Sequence, residues 1–351
     1  MQTYSVHTTP RFEAKQALSA DFIAQAAQAF QQEGVIILEN AFEVAQVQQW
    51  HTAFMELLQK KVAAFEQNAG GKVQGNHDVQ RWNMHLPTQS ILFDTLLLAH
   101  PVVVAVLKAI FQRDFAPVFI ASDIAFPGST NQEIHQDGGD FSIAVNIPLV
   151  DVSQANGATE VWAKTHLQQG VFSQASCELS PEAIQSMVQT YPNDFLTMKR
   201  GSLSMRDMRM LHRGTVNHTQ EPRPLISLIY MPTEAKAPYW QVTNFFVRQA
   251  KKLRQQAWKT GRQSLIDHAN TLGRMCDIGA MSDRDYRRQI DAATYAQLST
   301  DAKYLLRFAD LAPAIKPDFE VARSWRTTWA MAKDLGLYMF EFYRKKWSSA
   351  N

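Results

Sequence analysis

Phe141-Ser142-Ile143-Ala144-Val145-Asn146-Ile147-Pro148-Leu149 alternates large apolar residues with small or polar ones. A period of two places the two sets on opposite faces of a strand. The stretch is therefore read as a β-strand with one buried face. Asn146 lies on the other face, turned either to a pocket or to solvent. Shorter runs of strand character recur at 118–126, 158–163, 202–207 and 225–231, separated by Pro, Gly and Asn. Strands that succeed one another without intervening helical periods argue for an antiparallel sandwich or barrel.

Upstream, the period is helical. Ser19 suits an N-cap, Phe22, Ile23, Ala26 and Phe30 share a face, and Gly34 stands just past the end. Val35-Ile36-Ile37-Leu38 then reads as a strand, and Val47, Trp50, Phe54, Leu57 and Leu58 as the apolar face of a second helix. Residues 67–90 are polar and contain Gly70, Gly71 and Gly75, which predicts a long loop. The apolar stretch 91–111 carries Asp94, His100, Pro101 and Lys108, so it reads as a buried helix and not a membrane span. Beyond about residue 244 helical spacing returns. The expected division is a barrel with N-terminal helices at 1–245 and a helical extension at 246–351 packed on it as support, lid or dimer interface.

Composition excludes several classes. With 351 residues, 46% of them hydrophobic, the chain can build a large core, and 20 Phe, 8 Trp and 9 Tyr argue against disorder. Thirty-five basic and 33 acidic residues leave a net charge of +2, which makes no case for nucleic acid. Residues 248–262 hold six basic side chains and no acid, read as a solvated helix face or a clamp for an anionic substrate. Cys177 and Cys276 are too far apart for a disulfide framework or a zinc spacing, and the first twelve residues lack an apolar run. A cytoplasmic location is expected, with neither membrane nor nucleic acid as partner. A homo-oligomer through the C-terminal helices stays open.

The chemistry lies in Gln132-Glu133-Ile134-His135-Gln136-Asp137. On a strand, His135 and Asp137 project from one face, ~7 Å apart along the backbone. An imidazole and a carboxylate so placed can share a metal, and a third ligand completes a facial triad that leaves coordination positions open. Leu211-His212-Arg213-Gly214 follows the strand at 202–207 and offers a further histidine. Arg223 comes eleven residues after His212. Its planar fork binds a carboxylate through two hydrogen bonds, which Lys cannot reproduce.

Taken in order, HQDGG, NIPLVDVSQANGATEVWAKTH and LHRGTVNHTQEPRP resemble the phytanoyl-CoA dioxygenase family over residues 21–231. The resemblance implies a double-stranded β-helix, a jelly-roll or cupin-like barrel, and Fe(II), 2-oxoglutarate and O2 as cofactor and co-substrates. It implies His135, Asp137 and His212 as iron ligands, Arg223 as the 2-oxoglutarate anchor and Thr159 of NGAT as a second contact. Relatives usually read PGSH where this chain has Ala163-Lys164-Thr165-His166, which puts the shape of that turn in question. Halogenating relatives replace the carboxylate by a small residue, so Asp137 favours hydroxylation of a small organic metabolite, with desaturation or cyclisation as variants. Arg81 and Trp82 of the predicted loop, Ser122, Asp123 and Asn146 are candidate substrate contacts. The alternative is a metal- or ligand-binding barrel without oxygenase turnover, a sensor or cupin-like protein.

Overall fold

The Ser19 hydroxyl accepts the Phe22 amide at 3.1 Å and starts helix α1 (Ala20–Glu33), as the N-cap reading expects. The computed structural model describes residues 9–14, 19–69, 80–88, 90–137, 141–168, 181–233, 260, 262, 289–307 and 309–319. Gly34 ends α1 in the left-handed region at φ 80° and hands the chain to strand β2 (Val35–Glu39). No side chain fits there, because a Cβ on Gly34 would stand 2.3 Å from His166 Nδ1 and 2.7 Å from the Met210 methyl. Gly34→Ala combines backbone strain with overpacking and is expected to cost about 2–3 kcal/mol in urea unfolding. A loss under ~0.5 kcal/mol would mean that His166 and Met210 yield freely.

The remaining elements follow in chain order. A short strand β1 (Arg11–Glu13) precedes α1; after β2 come α2 (Val44–Ala69), β3 (Arg81–His85), α3 (Thr95–Leu98), α4 (Pro101–Phe111), β4 (Phe115–Ala125) and β5 (Ile143–Pro148). Then come β6 (Thr159–Trp162), α5 (Pro181–Thr190), β7 (Asn193–Phe195), β8 (Leu203–Asp207), β9 (His212–Gly214) and β10 (Arg223–Pro232). Two differences from the sequence reading concern the first half. Residues 67–69 of the predicted loop belong to α2 and Arg81–His85 pairs with β4 as a strand, while residues 70–79 and 89 lie outside the described residues. The apolar stretch 91–111 is two helices, because Pro101 has no amide to continue a helix and instead opens α4.

The strands form a seven-stranded sheet, β1-β2-β8-β5-β10-β4-β3, and a three-stranded sheet, β7-β6-β9. Within these two sheets all pairs are antiparallel except β1 with β2. This is the mainly β, jelly-roll arrangement with N-terminal helices, and among the described residues the two sheets do not close into a continuous barrel. Isolated bridges also pair His135 with His212 and Val152 with Met198.

Which face of the large sheet is apolar decides where the site lies. Ile143, Val145 and Ile147 of β5 share one cluster with Leu203 and Met205 of β8, Ile226 and Leu228 of β10, and Phe30, Trp50, Phe54 and Leu107 of the helices. The apolar face is thus the outer one, covered by helices, and the small or polar face points inward. At one end the sheets pack through Val35 and Ile37 against Val161, Leu196, Met198 and Met210. At the other, the inward positions leave a cavity.

The described C-terminal residues add β11 (Gln289–Ile290), α6 (Ala292–Gln297), α7 (Thr300–Leu305) and β12 (Asp310–Leu311), so this region holds a parallel strand pair beside its helices. Ile290, Tyr295, Leu298, Ala302, Leu305 and Leu306 join the same buried cluster as the sheet. The basic segment 248–262, apart from residues 260 and 262, the aromatic-rich segment after 320, Cys177, Cys276 and His268 lie outside the described residues.

Three histidines outside the site set a pH dependence. Burial lowers His51, His100 and His166 below the usual 6.5. His100 donates from Nε2 to the Ala41 carbonyl at 2.8 Å and packs edge-on against Phe42. Below about pH 6.5 each takes up a proton on unfolding that its folded form refuses, so their contribution is full above that pH and is lost as pH falls from there towards their lowered folded values. The melting temperature is expected to drop between pH 7.5 and 5.5, and less steeply in His100→Gln. An equal slope in both proteins would remove His100 from the account.

Candidate active site

The His135 segment is not a strand. Residues 127–132, Pro-Gly-Ser-Thr-Asn-Gln, favour turns, and only His135 is laddered: its amide donates to the His212 carbonyl and its carbonyl accepts the His212 amide, both at 3.0 Å. Asp137 is held separately, its amide donating to the Met208 carbonyl at 3.1 Å. The two side chains still converge, because the bridge to β9 sets His135 beside His212 with ring centroids 4.4 Å apart.

One ligand atom from each of His135, Asp137 and His212 lies within 4.8 Å of the other two. His135 Nε2 is 3.6 Å from Asp137 Oδ1, and His212 Nε2 is 3.3 Å from Asp137 Oδ2. His135 Nδ1 sits 2.7 Å from the Glu133 carbonyl, which can only accept, so the ring proton belongs there and the Nε2 lone pair is free. His212 Nδ1 lies 3.2 Å from the Met210 carbonyl, which only accepts, and 3.1 Å from the Arg206 guanidinium, which only donates. Burial, aided by the Arg206 charge, pushes His212 down to about 3, so its imidazole is neutral at physiological pH. Burial alone would raise Asp137, but His212 and Arg206 beside it hold its carboxyl well below the usual range. Burial likewise opposes the charging of His135, and the Asp137 carboxylate outweighs it and raises that pKa. Two imidazoles and one ionised carboxylate on one side are a donor set suited to a divalent transition metal with open positions.

Arg206 was not singled out by the sequence reading. It stands on β8, 4% exposed, and its guanidinium reaches Asp137 Oδ2 at 2.5 Å and His212 Nδ1 at 3.1 Å. The signal was its parity. Ser202, Ser204 and Arg206 alternate with Leu203 and Met205, and a charge on the polar side of a buried strand must face an interior partner.

The cavity between the sheets has a volume of about 190 Å³. His135, Asp137, His212 and Arg206 line it, with Thr159 of β6, Asp123 of β4, Asn146 of β5, and Leu225, Ser227 and Ile229 of β10. Asn146 therefore faces the pocket and not solvent. Arg223 opens β10 with the same parity as Leu225, Ser227 and Ile229 but does not itself line the cavity; it is 1% exposed, and its two terminal nitrogens lie 3.4 Å from Asp123 Oδ2, which does. Its Nε is buried without an acceptor.

Arg81 and Trp82 are placed differently from expectation. Both are buried on β3, whose alternation sends them to opposite faces. Trp82 enters the outer core, edge-on to Phe126, and cannot wall the pocket. Arg81 crosses the inner side and donates to the carbonyls of Thr130 and Thr215, supporting the site from behind without lining it. It also explains the glycine of His212-Arg213-Gly214, since a Cβ there would lie 2.5 Å from Arg81 and 2.6 Å from Gln132 Oε1. The turn at Ala163–His166 forms without Pro, Gly or Ser: Lys164 takes the left-handed region at φ 67° and Thr165–Leu167 makes one 3-10 turn. His218 donates its amide to the Ala155 carbonyl and is not one of the three clustered donors.

The profile of the family described as phytanoyl-CoA dioxygenase (PhyH) matches residues 30–225, more than half of the chain. Dioxygenase trt7 of Aspergillus terreus (strain NIH 2624 / FGSC A1156) is 24% identical over 226 residues, covering 60% of this chain and 73% of its own. Among solved structures, the non-heme alpha ketoglutarate dependent carbocyclase SnoK from nogalamycin biosynthesis aligns with a TM-score of 0.49 at 17% identity, over 64% of this chain and 87% of its own. The epimerase SnoN from the same biosynthesis aligns at 0.46 and 16%, over 61% and 82%. AviO1 from Streptomyces viridochromogenes Tue57 aligns at 0.43 and 16%, over 59% and 93%.

Proposed function

The chain belongs to the phytanoyl-CoA dioxygenase family, and from that premise we propose that it hydroxylates an unactivated C–H bond of a small organic metabolite. It is a 2-oxoglutarate-dependent non-haem iron enzyme, with Fe(II), 2-oxoglutarate and O2 as cofactor and co-substrates. One observation carries the residue assignment. The His135, Asp137 and His212 donors meet in a cavity also lined by Asp123, behind which the fully buried Arg223 stands 3.4 Å away with an Nε that lacks an acceptor. A protein that only bound metal would have no use for that guanidinium.

In this reading His135, Asp137 and His212 hold the iron, which supplies the oxidising chemistry coupled to decarboxylation of 2-oxoglutarate to succinate and CO2. The chain's own work is placement. The Glu133 carbonyl holds the His135 ring proton on Nδ1 and leaves its Nε2 lone pair free, burial and the Arg206 charge keep His212 neutral, and Arg206 fixes one oxygen of Asp137. Arg223 fixes the distal carboxylate of 2-oxoglutarate, with Thr159 as a further hydrogen-bonding group. Leu225, Ile229, Met208 and Ala144 keep the rest of the cavity apolar and exclude water, while Asn146 and Ser227 offer polar contacts to orient the substrate. Desaturation and cyclisation need the same placement and differ in the fate of the substrate after its hydrogen is removed.

The test is anaerobic. Adding Fe(II) and then 2-oxoglutarate to metal-free protein is expected to produce the weak visible charge-transfer band of the chelate, lost in His212→Ala. Bound iron with no band would place the non-oxygenase reading first. Succinate release against a panel of small metabolites would then identify the substrate.

A further inference from the structure

Arg223 is already engaged. Its two terminal nitrogens point at a single oxygen of Asp123, each at 3.4 Å. The pairing follows from register: β4 and β10 are antiparallel with Asp123 opposite Leu225, so Asp123 lies diagonal to Arg223 on the inward face. The partners differ in freedom. Arg223 is 1% exposed, whereas the Asp123 side chain is 33% exposed and lines the cavity. Among the described residues Asp123 makes no other side-chain hydrogen bond, and both contacts are longer than a good charge-assisted bond. A carboxylate held so loosely over a buried guanidinium occupies the place an incoming carboxylate needs.

Charge counting gives the same result. The cavity's fixed charges pair off, Arg206 with Asp137 and Arg223 with Asp123. A dicarboxylate bound with its distal group at Arg223 meets a cation whose charge is already offset, and adds a second anion beside the first. Like charges at such range oppose each other unless one moves or takes a proton.

We propose that Asp123 is a specificity-determining residue that competes with the distal carboxylate of 2-oxoglutarate for Arg223 and weakens co-substrate binding. The proposal rests on the reading of Arg223 as the anchor. The occupancy of the site by 2-oxoglutarate then follows its concentration, because binding must first displace the internal carboxylate. A 2-oxo acid without a distal carboxylate never meets this competition.

The experiment is calorimetric titration of anaerobic Fe(II)-loaded protein with 2-oxoglutarate and, separately, with pyruvate, in wild type, Asp123→Asn, Asp123→Ala and Arg223→Met. Both Asp123 variants are expected to bind 2-oxoglutarate about tenfold more tightly than wild type, and pyruvate within about twofold of it. Unchanged or weaker 2-oxoglutarate binding in both variants, with wild-type melting temperatures, would overturn the proposal and make Asp123 a support for Arg223. Equal tightening for both acids would also overturn it, since the effect would not lie at the distal carboxylate. Failure of the anchor reading looks different: Arg223→Met would then bind 2-oxoglutarate as well as wild type.

Discussion

Asp137→Ala is expected to lower succinate formation at least ~10³-fold, through two losses that reinforce each other. The first is a ligand, the one negative donor in a set of two imidazoles and a carboxylate. The second is the partner of Arg206, whose guanidinium is 4% exposed and 2.5 Å from the Asp137 oxygen. Without Asp137 that buried cation is unpaired beside the place where a dication must sit. Breaking a buried pair from one side costs about 3–5 kcal/mol, more than the pair itself contributes. Equilibrium dialysis with Co(II) reads the metal loss directly and succinate assay reads turnover. Asp137→Asn keeps the shape and a hydrogen-bond acceptor for Arg206 but not the charge, and should fall between. Undiminished succinate formation in the alanine variant would refute the ligand role.

Arg223→Ala is expected to weaken 2-oxoglutarate binding by about 100-fold, equivalent to about 3 kcal/mol, a usual result of truncating one member of a desolvated charge pair. Metal binding should be almost untouched, since none of the triad contacts Arg223. The truncation also strands Asp123 in the cavity, where its charge then repels the co-substrate with nothing to offset it. Adding Asp123→Asn should therefore recover part of the loss, and the double-mutant cycle measures how much. Titration of the Fe(II)-loaded protein is the readout. Wild-type affinity in Arg223→Ala would end its role as anchor. Lys at this position is expected to rescue poorly, because a point charge cannot present the two parallel donors of a guanidinium.

Much of this site was legible because its motif is a matter of order along the chain. His135, Asp137, His212 and Arg223 were singled out by residue type and spacing, and three of them meet within 4.8 Å. The supposed reason for the convergence of His135 and Asp137 was wrong in detail. A strand was expected, and a turn-rich loop anchored by the bridge to His212 does the work instead. Trp82 was misread for a related reason. Polar and glycine-containing neighbours made its surroundings look like loop, while pairing with β4 supplies the hydrogen bonds that make residues 81–85 a strand. Arg206 escaped notice because no motif contains it. Its importance comes from Asp137, 69 positions away in sequence.

By itself the sequence determined strands β2, β4, β5, β6, β8 and β10, the cap at Ser19, the left-handed stop at Gly34, and the sets of residues that share a face. These follow from local chemistry: a period of two or of 3.6, and a side chain that can or cannot accept an amide. Only the tertiary structure decided which face is inside. The alternation at 141–149 is the same whether its polar side meets water or a cavity, and helices covering the apolar side turn Ala144 and Asn146 inward. The same covering buries Arg206 and Arg223, and an arginine that could have been solvated must instead find an anion. That is why Asp137 and Asp123 stand where they do, and why the pairing of charges in this cavity becomes visible only once the sheet has chosen its inner face.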